Sequence, residues 1–152
     1  MKKRTLIALG TGLLFLILVS GCATSPGRIG QDPQRYDGKL VTVRGTVGRS
    51  FRIPLIDISV FVLENGKDSV PVVSSREDRE KGRPARVRGE VWAFPERGMN
   101  EDSAAAVKAL EKFLVDQDLV ARDRARQMSA VVLTAVRELA GGLGHLWFII
   151  EN

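Results

Sequence analysis

The chain has 152 residues, 44% of them hydrophobic and 27% charged, with a formal net charge of +5. That length and apolar fraction suit one domain with its own core. Lys2, Lys3 and Arg4 supply three of the positive charges and residues 23 to 152 carry only +2, which speaks against a dedicated polyanion binder.

After the basic start comes an apolar stretch from Leu6 to Val19, then Ser20, Gly21 and Cys22. A positive beginning, a short apolar run and a small-residue cut site read as a secretory signal. The run falls short of the roughly 20 apolar residues of a spanning helix, and Gly10 and Gly12 weaken it further. Cys22 is the only cysteine, so no intramolecular disulfide forms, and a free thiol in an oxidising compartment is a liability. Leu18-Val19-Ser20-Gly21-Cys22 resembles a bacterial lipobox. The resemblance implies that Val19, Ser20 and Gly21 are read by the processing machinery. It also implies that Cys22 receives diacylglycerol and an N-acyl chain and becomes the mature N-terminus. At roughly 0.8 kcal/mol per buried methylene, two or three chains hold a protein on a membrane where one does not. Ala23, not Asp, follows the cysteine, and for a Gram-negative envelope this implies the periplasmic leaflet of the outer membrane. The expected division is a signal over 1–21, a lipidated N-terminus and tether over 22–28, and one domain over 29–152.

Within that domain, Asp32-Pro33 suits a short helical turn before Tyr36, and Asp37-Gly38 turns the chain into a strand. Leu40 to Val47 alternates, with Val41, Val43 and Val47 on one face. Ala85 to Val91 repeats the pattern, and both segments contain Val-Arg-Gly-x-Val with the glycine facing inward. A glycine inside a strand marks a bend, a bulge or a close backbone approach. Between them, Ile58 to Leu63 and Val70 to Val73 are apolar runs around Asn65-Gly66, a hairpin signal that Lys67 and Asp68 can lengthen. Ser74 to Pro84 is almost wholly polar and reads as an exposed loop. Leu146 to Ile150 is the last strand.

Two bent strands around a hairpin, with a fifth strand at the C-terminus, resemble the five-stranded Greek-key barrel known as the OB-fold. Tyr36-Asp37-Gly38-Lys39-x-Val41-x-Val43-Arg44-Gly45-x-Val47, followed by Ser50-Phe51 and Pro54-Leu55, is similar to small bacterial OB-fold lipoproteins. The resemblance covers residues 28 to 96 and 145 to 151. It implies a mainly β fold related to nucleic-acid-binding modules, but no reaction.

Residues 100 to 141 depart from that pattern and predict an α-helical insertion between the fourth and fifth strands. Asn100 or Asp102 is the candidate cap, and Val107, Leu110, Phe113 and Leu114 form a first apolar stripe. A second runs through Ala121, Ala125, Met128, Val132, Ala135, Val136 and Leu139 to a C-cap at Gly141-Gly142. Asp116 to Asp118 leave open one helix or two. Barrels of this kind usually place a plugging helix after the third strand, where this chain has only the charged loop. The insert is therefore expected to cover barrel surface, its apolar face serving as core rather than as a docking or membrane-surface helix.

The residues offer little catalytic chemistry. His145 is the only histidine and cannot build a His-rich zinc site, so no metal or other cofactor is expected. Ser50, Ser59, Ser74 and Ser75 have no paired base, and Gly141-Gly142-Leu143-Gly144 lacks the lysine of a phosphate loop. A ligand face has more shape. By strand parity Arg44, Arg86, Arg88, Trp92 and Phe94 point away from the valines, with Arg49, Phe51 and Arg52 farther along. Basic grooves with aromatic platforms hold single strands in OB barrels, and related faces hold oligosaccharides. The expectation is a non-enzymatic, membrane-anchored binding or structural module with a protein or envelope partner. A binder of single-stranded nucleic acid or oligosaccharide is the alternative.

Overall fold

The computed structural model describes residues 23–76, 79–93, 101–140 and 147–152. The signal residues Val19, Ser20, Gly21 and Cys22, together with Phe94, Asn100, Gly141, Gly142 and His145, lie outside them. The elements in chain order are α1 (Pro26–Gln31), α2 (Pro33–Tyr36), β1 (Leu40–Ile53), β2 (Ile58–Asn65), β3 (Asp68–Ser74), β4 (Pro84–Ala93), α3 (Glu101–Asp116), α4 (Ala125–Ala140) and β5 (Trp147–Glu151). The strands close into a barrel in the order β1-β2-β3-β5-β4. All neighbours are antiparallel except β3 and β5, which run parallel. This is the expected mainly β, OB-like Greek-key barrel with its helical insertion between β4 and β5.

Closure depends on two long strands that change partners. β1 pairs with β4 from Leu40 to Thr46 and with β2 from Thr46 onward, with a register irregularity between Val47 and Ser50. β4 passes from β1 to β5 around Gly89. Each exchange sits on the glycine of Val-Arg-Gly-x-Val. A Cβ at Gly45 would stand 2.5 Å from the Glu64 carbonyl oxygen, and one at Gly89 would stand 2.2 Å from that of Ile150. Hydrogen in place of a side chain lets the neighbouring backbone come in at the bend.

Valines from the alternating faces of β1 and β4 meet Phe61, Leu63 and Ile149 inside the barrel. One end is closed by α1, whose Ile29 is 0% exposed and belongs to that interior cluster. Residues 24–28 of the expected tether are thus folded against the barrel. Ser25 caps α1 through the Arg28 amide, Pro26 occupies its first turn, and the Thr24 amide donates to the Thr42 carbonyl at 2.8 Å. Asp32 caps α2 through the Arg35 amide, as the Asp-Pro pair predicts. The β2–β3 loop is the two residues Gly66-Lys67, with Gly66 at φ 65°, because Asn65 pairs with Asp68.

The insert forms two helices, broken at 117–124. Ala106, Leu110, Phe113 and Leu114 of α3 and Val132 and Val136 of α4 pack on Ile58, Val60, Val73, Phe148 and Ile150 from the outer side of β2, β3 and β5. The insert is thus core and cover at once. Three local expectations change: Val107 is only partly buried and Ala106 takes its place, Ala121 lies in the connecting turn, and Asp102 falls inside α3. The stripes were read without knowing where each helix begins.

Candidate functional site

Among the described residues, the helices cover one side of the barrel and leave the outer face of β1 and β4 open from Leu40 to Arg44 and from Arg86 to Arg88. Opposed across that pair are Leu40 and Glu90, Thr42 and Arg88, and Arg44 and Arg86. Alternation sends Val41, Val43, Val87 and Val91 inward and these residues outward. Arg44, Arg86 and Arg88 are all exposed. Among the described residues none of the three guanidiniums has an ion-pair partner. Like charges directly opposite on an antiparallel pair are destabilising.

The remaining described candidates go elsewhere, so the predicted residues do not share one surface. Trp92 is partly buried against the cluster beneath α3, and its indole Nε1 has no hydrogen-bond partner among the described residues. With Phe113, Lys108 and Lys112 it lines a cleft of about 560 Å³. Lys112 pairs with Asp116, and its pKa lies above the usual lysine value because of that hydrogen bond and charge, with a last contribution from Glu90. Arg49 donates to the Leu139 carbonyl at 2.7 Å, tying β1 to the end of α4. Phe51, 53% exposed, lies beside it in a cleft of about 790 Å³ lined also by Lys81, Val131 and Glu138. Arg52 is engaged with Asp57 in the β1–β2 turn. Parity places side chains on a face of a strand, but not what lies over that face, and α3 and α4 divide this one.

One charged cluster escaped sequence reasoning. Glu151, 3% exposed, ends β5 with its carboxylate 2.5 Å from Arg79 and 3.8 Å from Arg76. The Arg79 guanidinium also stands 5.5 Å over the Phe61 ring. The charged β3–β4 loop, expected to be wholly solvated, thus sends one arginine over the barrel mouth opposite α1. The available signal was parity: Trp147, Ile149 and Glu151 share a face. Glu151 Oε2 has no hydrogen-bond partner among the described residues.

Among the described residues, no group of three or more His, Cys, Asp or Glu could hold a metal ion, and no helix is long and apolar enough to cross a membrane. No protein-family profile and no curated protein matches the chain. Solved structures do, among them one assigned as an aspartyl-tRNA synthetase from Leishmania major Friedlin. It is 15% identical, with a TM-score of 0.44, over 54% of this chain and 18% of that one. The chain therefore spans less than a fifth of that protein's length.

Proposed function

We propose that this chain is a lipid-anchored, non-catalytic binding module, held by acyl groups on Cys22 at the periplasmic face of a bacterial outer membrane. The observation that carries the reading is where the fold starts. Thr24, two residues beyond the candidate cleavage site, is already hydrogen-bonded to β1, and Pro26 begins a helix that closes the barrel. The five strands that close the barrel run from Leu40 to Glu151, so closure uses no residue of the candidate leader. The non-catalytic part rests on the residue inventory: one histidine, and one cysteine that lipid would consume. Mass spectrometry of the N-terminal peptide from membranes tests the anchor. The expected species begins at Cys22 and carries the acyl mass. Cys22→Ala should be unprocessed or unacylated, and finding it cleaved yet fully membrane-bound defeats the assignment.

A second reading, a binder of single-stranded nucleic acid or oligosaccharide, is favoured by three exposed arginines on one face that have no ion-pair partner among the described residues. Its strongest aromatic candidate, Trp92, is turned toward α3 and away from use as a stacking platform. A salt-dependent shift of labelled single-stranded DNA, lost in Arg44→Ala/Arg88→Ala, is the outcome that supports it.

A further inference from the structure

Thr24 bridges to Val43 in parallel, so the chain enters alongside β1 from its Leu40 end. Cys22 is two positions before that fixed point, at most about 7 Å of extended backbone away. A lipid-anchored barrel would therefore have no slack: β1 could not move farther from the bilayer than the tether allows. Leu40 is 51% exposed, and the same outward row continues through Thr42 and Arg88 to Arg44 and Arg86. The one acid in the row, Glu90, faces Lys112 of α3. Beyond it the charged residues of the row are all arginines, and two of them oppose each other without a described acid between them.

We infer that the Arg44–Arg86–Arg88 face docks onto anionic phospholipid headgroups of the bilayer that holds the anchor. The inference rests on the lipid-anchor reading and adds an orientation to it. Acyl chains confer residence on a membrane but no preferred attitude. A tether this short raises the local concentration of phosphate around the arginines, so that weak contacts suffice. Near an anionic surface each arginine contributes about fivefold in partitioning, on the order of 100-fold for three. The contacts fade as salt shortens the screening length from about 8 Å toward 3 Å. Headgroup phosphate would also supply the counter-charge that the Arg44–Arg86 pair lacks among the described residues.

The test uses the full chain, exported, processed and purified from membranes. Mass spectrometry comes first: a free Cys22 thiol, or a leader still attached, sinks the anchor reading whatever follows. Acylation of Cys22 leaves a cysteine introduced by Leu40→Cys as the sole labelling site for a fluorophore. The labelled protein is reconstituted into phosphatidylcholine vesicles with or without 30% phosphatidylglycerol, each carrying a headgroup quencher. Expected is several-fold stronger quenching on the anionic vesicles, lost at high salt and lost in Arg44→Gln/Arg86→Gln/Arg88→Gln. A label at Leu55→Cys, on the far turn and 84% exposed in the parent, should respond to neither lipid nor salt. Equal, salt-independent quenching on both vesicles overturns the docking but leaves the anchor standing. So does single-stranded DNA binding through the same arginines on neutral vesicles without any response to phosphatidylglycerol. Circular dichroism of the triple variant guards against misfolding, and the salt response of the parent is read without any variant.

Discussion

Arg44 on β1 and Arg86 on β4 are direct cross-strand partners, two exposed cations side by side with no described acid between them. Such pairs are destabilising by a few tenths of a kcal/mol to about 1 kcal/mol relative to neutral ones. Arg44→Thr, which keeps a good strand former in place, is expected to raise the urea midpoint. An unchanged or lowered midpoint at low salt would show that the two guanidiniums do not repel.

Gly89→Ala tests the bend. The added methyl would meet backbone, the Ile150 carbonyl carbon at 2.8 Å and its oxygen at 2.2 Å, and β5 has no room to retreat beneath α3. Overpacking of this kind costs about 1–3 kcal/mol, and here the upper end or beyond is expected. Gly48→Ala is the control, since the nearest atoms its methyl would meet belong to the flexible Glu64 side chain. Equal losses for the two in chemical denaturation would refute the close-approach account.

Ile29 closes one end of the barrel from a helix of six residues. Truncating a buried isoleucine to alanine typically costs 2–5 kcal/mol. Ile29→Ala is expected to lose at least 2 kcal/mol, measured by thermal or urea unfolding. Leu55→Ala, at a residue 84% exposed, should lose nothing measurable. If Ile29→Ala proves as harmless, α1 contributes nothing to closing the barrel.

The opposite mouth holds Glu151 and Arg79. Removing one partner of a buried pair strands the other and costs about 3–5 kcal/mol; Arg79 retains some solvent access, so the lower end applies. Replacing both, as Arg79→Met/Glu151→Leu, should cost clearly less than the sum of the single changes. A double-mutant cycle reads the coupling, and additive losses would mean that the pair is incidental to closure.

Deleting residues 103–140 behind a short linker strips the cover from Ile58, Val60, Val73, Phe148 and Ile150. The expected product is aggregated or binds a hydrophobic dye. A folded, monomeric barrel from this deletion would show that the helices are an accessory and not core.

How far the sequence could be read depended on what each pattern records. Period-2 alternation registers that one side of a strand meets water, so β1 and β4 were legible as strands with an open arginine face. The two glycines announced the bends because only a missing side chain permits them. Cys22 declared its resemblance through three local signals that need no fold at all. The continuous apolar runs of β2 and β5 carried more than was read from them: their residues are buried on both faces because the barrel lies on one side and the α3–α4 pair on the other.

Other features belong to contacts between segments far apart in the chain. Nothing local to Trp92 indicates that α3 passes over it, and nothing local to Arg79 indicates that its partner lies 72 residues away in Glu151. The docking of Thr24 on β1 is of the same kind, since its short flanking segment has no periodicity of its own and borrows its order from a strand edge. Local chemistry writes itself into spacing and composition. Which face is roofed and which mouth is corked follow from how the closed barrel brings remote segments together, and a linear pattern holds no record of that.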